Sequence, residues 1–125
     1  MKVSLTVLTL ALFCSCKKKD VSPASVQVQV SGLTTKTSLS ITVTDNTKGI
    51  VVLSLINKFG NNTYSSSAVS PGDQLTIHIT SNVDDNLAGD GDAQIKYFFK
   101  GDNFGAHGGQ VNVSGFSQNE TVPQP

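Results

Sequence analysis

The strongest constraint on this chain is an alternation of period two. Val26, Val28 and Val30 are interleaved with Gln27 and Gln29, and Leu39, Ile41 and Val43 with Ser40, Thr42 and Thr44. Leu75, Ile77 and Ile79 alternate in the same way with Thr76, His78 and Thr80. Successive side chains of an extended chain point to opposite faces, so each segment predicts a strand with one apolar and one polar side. Residues 94–100 repeat the pattern, with Ile95, Tyr97 and Phe99 on one face and Lys96, Phe98 and Lys100 on the other. Gly32, Asp45-Asn46-Thr47-Lys48-Gly49, Asn61-Asn62 and Ser70-Pro71-Gly72-Asp73 stand between the segments as turn chemistry. No part of the domain keeps a helical period of 3.6.

Three further segments complete the expectation. Residues 50–56 are almost continuously apolar, which suits a strand covered on both faces or buried at a dimer contact. Residues 63–69 read as a weaker strand and residues 101–109 as a glycine-rich loop, after which Val111 and Val113 open a last strand. About seven short strands at this spacing predict an all-β fold, an immunoglobulin-like antiparallel β-sandwich. The domain has neither tryptophan nor cysteine, so the sandwich is expected without a disulfide. Its expected span is 25–117, with 118–125 a disordered, proline-containing tail.

The N-terminus states an address. Met1-Lys2 is positive, residues 3–13 are an apolar run of eleven broken only by Ser4, Thr6 and Thr9, and Phe13-Cys14-Ser15-Cys16 follows. This is too short for the ~20 residues of a membrane-spanning helix and has the layout of a secretory signal peptide. A cysteine directly after Ser15, opening the hydrophilic Lys17-Lys18-Lys19-Asp20, resembles a bacterial lipoprotein cleavage site. The small residue required before the cut selects Cys16 over Cys14, which follows Phe13. Residues 1–15 are therefore read as signal peptide and 16–24 as a lipidated cysteine with a flexible tether. More than one acyl chain makes such attachment stable. The expected location is the cell envelope of a didermic bacterium, at the outer membrane, facing either the periplasm or the exterior.

Charge excludes one class of partner. Residues 21–125 hold five lysines, no arginine and eight acids, a net charge of −3. A mildly acidic domain without a basic stripe is a poor nucleic-acid binder.

The chemistry-bearing motifs are few. In Asp84-Asp85-Asn86-Leu87-Ala88-Gly89-Asp90-Gly91-Asp92, the side chains of Asp84, Asn86, Asp90 and Asp92 have calcium-loop spacing and Gly89 falls where the sharp turn belongs. Ala88 and Ile95 occupy two ligand positions, so any calcium here is weak and structural; otherwise the segment is a solvated acidic loop. His78 and His107 lack the further ligands of a zinc site. Ser66, His78 and Asp73 form a triad only on paper, and no Gly-x-Ser-x-Gly elbow is present. No enzymatic activity and no cofactor are expected. Phe98 on the polar side of its strand, with Phe104 and Tyr64 in or near loops, marks a candidate binding face for protein or glycan.

The order of pieces carries a resemblance. Ser38-Leu39-Ser40-Ile41-Thr42-Val43-Thr44-Asp45 runs into a turn, and Val69-Ser70-Pro71-Gly72-Asp73-Gln74-Leu75 opens a later strand. Ala93-Gln94-Ile95-Lys96-Tyr97-Phe98-Phe99-Lys100-Gly101 then leads to a closing Val111-x-Val113-x-Gly115. Residues 25–116 resemble the small β-sandwich of the mycobacterial membrane protein small (MmpS-like) family, which also occurs as short lipoproteins in Bacteroidetes-type bacteria. The tryptophan that often precedes the central strand in that family is absent from residues 50–59. The resemblance implies the sandwich fold and, as one role, an accessory subunit of an envelope transport or export complex. The residues themselves point to a lipid-anchored module with a non-catalytic binding or assembly role, or to a calcium-stabilised adhesin module for carbohydrate or protein.

Overall fold

A computed structural model describes residues 20–83, 93–109 and 111–125. Among the described residues the chain forms eight strands and no helix. They are β1 (Ala24–Ser31), β2 (Ser38–Asp45), β3 (Ile50–Phe59), β4 (Asn62–Val69), β5 (Gln74–Ser81), β6 (Ala93–Phe99), β7 (Asp102–Gly109) and β8 (Phe116–Thr121). Two four-stranded sheets result, ordered β4-β1-β6-β7 and β3-β2-β5-β8, with every paired neighbour antiparallel.

The apolar halves of the alternating segments face each other between the sheets. Val26, Val28, Val30, Ile95, Tyr97 and Phe99 come from one sheet; Leu39, Ile41, Val43, Leu75, Ile77 and Ile79 from the other, all buried. Burial of such a side chain contributes roughly 1.5–3 kcal/mol, an upper figure because unfolded chains already cover part of their apolar surface. This facing row is what holds the two sheets together.

Three expectations need correction. The segment 118–125 is no disordered tail: Phe116–Thr121 is β8, paired along β5 from Gln74↔Thr121 to Ile79↔Phe116. Val122 is fully buried, donating its N–H to the Asp73 carbonyl at 2.9 Å and accepting from the Gly72 N–H at 2.9 Å. The domain therefore extends past 117, and the last strand is not at Val111 and Val113: Val111 precedes the Asn112–Gly115 turn and Val113 lies within it. Residues 101–109, expected as a loop, are mostly β7. At Gly105 the chain passes close to its neighbours: a Cβ there would lie 2.8 Å from the Glu120 carboxylate of β8, which would have to swing aside, and 3.0 Å from the Tyr97 ring. Finally, β3 is an edge strand. Its register shift against Val43 and Thr44 lets the consecutive Val52 and Leu53 both be buried, while Ile50, Val51 and Ile56 stay exposed.

Strand polarity gives the sandwich two distinct ends. The base holds the start of β1, the β2–β3 turn, the β4–β5 turn, the β6–β7 turn and residues 122–125. The tip holds the β1–β2 connection, the β3–β4 hairpin, the end of β5, the start of β6 and residues 111–115.

Candidate functional site

The tip is built from loops that asparagine side chains tie together. Asn61 Oδ1 accepts from the Leu33 N–H at 3.1 Å, joining the β3–β4 hairpin to the β1–β2 connection. Asn82 Oδ1 accepts from the Ser38 N–H at 2.8 Å while its Nδ2 donates to the Lys36 carbonyl at 3.0 Å. Asn112 Oδ1 accepts from the Gly115 N–H at 2.7 Å, and the Asn112 carbonyl accepts from Ser81 N–H at 3.0 Å. An amide side chain carries both a donor and an acceptor and so substitutes for a missing strand neighbour. Gly115, at φ 74°, has no room for a Cβ, which would lie 2.6 Å from the Ile79 carbonyl oxygen. On this rim Phe59 and Val113 are exposed. The segment 84–92 joins the tip at Val83 and Ala93; Asp84, Asn86, Asp90 and Asp92 lie outside the described residues, as does Cys16. Among the described residues, no three His, Cys, Asp or Glu side chains are grouped to hold a metal ion.

The three aromatics singled out in the sequence do not share a face. Tyr64 sits opposite Val28 and packs against the core from the edge strand β4. Phe104 lies on the other edge of the same sheet, also against the core, tilted 45° to Tyr97 with ring centroids 6.2 Å apart. Phe98 alone is on the outer face, opposite Gln27 and Asn103, and is half-buried there. Ile56 and Phe59, near the tip end of β3, are the exposed apolar side chains that sequence reading passed over. For Ile56 the signal was the length of the apolar run over residues 50–56; Phe59, beyond Asn57-Lys58, had none.

The histidines and serine are equally dispersed. His78 is on the outer face of its sheet, with Nδ1 2.9 Å from Ser117 Oγ. His107 stacks on Phe116 at 3.6 Å between centroids, bridging β7 and β8. Ser66 is buried in the opposite sheet, accepting from the Val26 N–H at 2.9 Å where β1 departs from regular register. Ser66, His78 and Asp73 are thus not assembled. Burial, and next the Glu120 carboxylate, push the Tyr97 hydroxyl above its ordinary pKa, so it stays protonated.

A buried carboxylate pair at the base went unforeseen. Asp45 is fully buried and Asp73 is 5% exposed, yet both stand beside turns, Asp45 as the last residue of β2 and Asp73 just before β5. Lys48 Nζ lies 3.0 Å from Asp73 Oδ2 and 3.7 Å from Asp45 Oδ2, and also donates to Ser70 Oγ at 3.1 Å. Asp45 Oδ1 accepts from the Lys48 N–H at 3.1 Å, and Asp73 Oδ2 from the Ser70 N–H at 2.8 Å. Burial alone would raise the Asp73 carboxyl, but the Ser70 N–H, the Asp45 carboxyl and the Lys48 ammonium hold it below the usual aspartate value. One lysine thereby locks the β2–β3 turn onto the β4–β5 turn. The carboxylates are covered by their own turns, so the arrangement serves as a corner fastening and not as a substrate-facing acid/base pair. Comparison with family models, curated proteins and solved structures returns no match.

Proposed function

We propose that this chain is a lipid-anchored cell-envelope protein with a non-catalytic binding or assembly role, in which the tip makes the contact. The observation that carries the reading is the opposition of the two ends. The chain enters the sandwich at the base, directly after the leader and Cys16, whereas the amide-tied rim with Phe59 and Val113 lies at the far end. A fixed rim on a sheet scaffold is a common platform for recognition by loops.

Two measurements test it. Mass spectrometry and fatty-acid labelling of the chain expressed in a didermic host should give a lipid on Cys16, lost in Cys16→Ala. An envelope-extract pull-down should lose its specific partner with Phe59→Ser or Val113→Ser but keep it with Lys96→Ser on the outer face. Equal capture by all variants would remove the tip from the reading. Recovery of an exporter subunit would turn the role towards an accessory of a transport complex.

A further inference from the structure

The base carries a second device, on the segment that joins the domain to its leader. Lys100 occupies the β6–β7 turn with φ 50°, followed by Gly101 at φ 85°, the pair of positive values that a tight two-residue hairpin needs. From that turn its ammonium reaches back to the incoming chain. Lys100 Nζ lies 3.1 Å from Asp20 Oδ2, 3.3 Å from the Asp20 carbonyl and 3.1 Å from Ser22 Oγ. An ammonium has three N–H donors, and all three of these acceptors belong to the tether. Ser22 closes the loop locally, donating its N–H and hydroxyl to Asp20 Oδ1. Beside this clasp, a cleft of about 110 Å³ separates the Asp20 and Lys100 pair from residues 123–125.

The clasp shortens the leash. Between Cys16 and Asp20 the chain spans four residue steps, at most about 14 Å when extended. With the clasp open, the free span runs to Ala24 and reaches about 28 Å. The end so restrained is also apolar at its margin: Val21 is 66% exposed, Ile50 48% and Val51 57%, half of the exposed large apolar side chains among the described residues.

We infer that Lys100 is a tether clasp that holds the base of the sandwich against the lipid headgroups, with Val21, Ile50 and Val51 at the membrane contact. The occupant is the bilayer in which the chain is anchored, and the inference rests on the reading of Cys16 as the lipidated residue. The surface is not an electrostatic patch. Lys48 and Lys100 are both engaged by aspartates, so the leash length, with the apolar margin, brings the base to the membrane.

The test uses the lipidated full chain in vesicles of phosphatidylethanolamine with a minority of phosphatidylglycerol, carrying a headgroup quencher. A fluorophore is placed at the base in Val51→Cys or at the tip in Lys36→Cys. The base label should be quenched several-fold more than the tip label. Lys100→Gln and, independently, Asp20→Asn should reduce that difference several-fold, and Lys100→Arg should restore much of it. Equal quenching at both ends, or a difference unmoved by Lys100→Gln and Asp20→Asn, overturns the clasp while leaving the anchor intact. A chain that neither sediments with vesicles nor carries lipid on Cys16 overturns both readings together. Because Asp20 precedes β1, its substitution separates the clasp from the folding of the β6–β7 turn.

Discussion

The two ends of this sandwich are fastened by different chemistry. At the tip, neutral amides of Asn61, Asn82 and Asn112 supply the missing donors and acceptors of neighbouring loops. At the base, charges do the fastening: Asp45 and Asp73 around Lys48, and Asp20 against Lys100. Hydrogen bonds between neutral groups do not titrate and are little affected by salt, whereas ion pairs respond to both. The described loops of the tip are thus tied by bonds that do not titrate, whereas the base depends on its surroundings.

The largest effect expected from breaking this contrast is at Lys48. Lys48→Met leaves two buried carboxylates side by side without a counter-charge, and should cost about 3 kcal/mol or more in urea unfolding at neutral pH. Next comes the tip glycine. Gly115→Ala combines a positive φ with a Cβ pressed on the Ile79 carbonyl, and should cost about 2 kcal/mol by the same measurement. Asn82→Ala removes the partners of the Ser38 N–H and the Lys36 carbonyl, for an expected loss of about 1–2 kcal/mol.

The contrast is sharpest in acid. A carboxyl held below its unfolded value of about 3.9 contributes its stabilisation in full above that pH and loses it as pH falls through the folded value. Asp73 therefore predicts a stability that declines below pH ~4, measured by thermal melts in a pH series. Asn82→Ala should lower the whole curve without changing that decline, whereas Lys48→Met should flatten it. Equal acid sensitivity in wild type and Lys48→Met would refute the charged fastening at the base. The smallest effect belongs to Asp20→Asn, whose partner contacts are at the surface; it should lower the unfolding midpoint only slightly, less than any of the other substitutions.

How much of this was legible in the sequence follows from what each segment does. β1, β2, β5 and β6 are interior strands of their sheets, with one face on the core, and their alternation announced them. The edge strands were harder because packing only partly dictates their side chains. β8 presents Phe116, Gln118 and Glu120 inward, a polar-rich row that alternation of apolar residues does not detect. β7 was concealed by its glycines, and the type of turn at Lys100-Gly101 lacks the usual Asn-Gly or Asp-Gly signal. In β3 the register shifts broke the period and made an edge look like an interior strand. The base cluster was illegible for another reason. Asp45 and Asp73 read separately as turn formers, and only the strand order brings their carboxylates to the same lysine.

The position of the C-terminal residues has a practical corollary. Val122 is sealed into the corner of the β4–β5 turn, and residues 123–125 come down beside Asp20 and Lys100. Any polypeptide fused after Pro125 would emerge beside Asp20, where the chain enters the sandwich, and would crowd the Lys100 ion pair from that side.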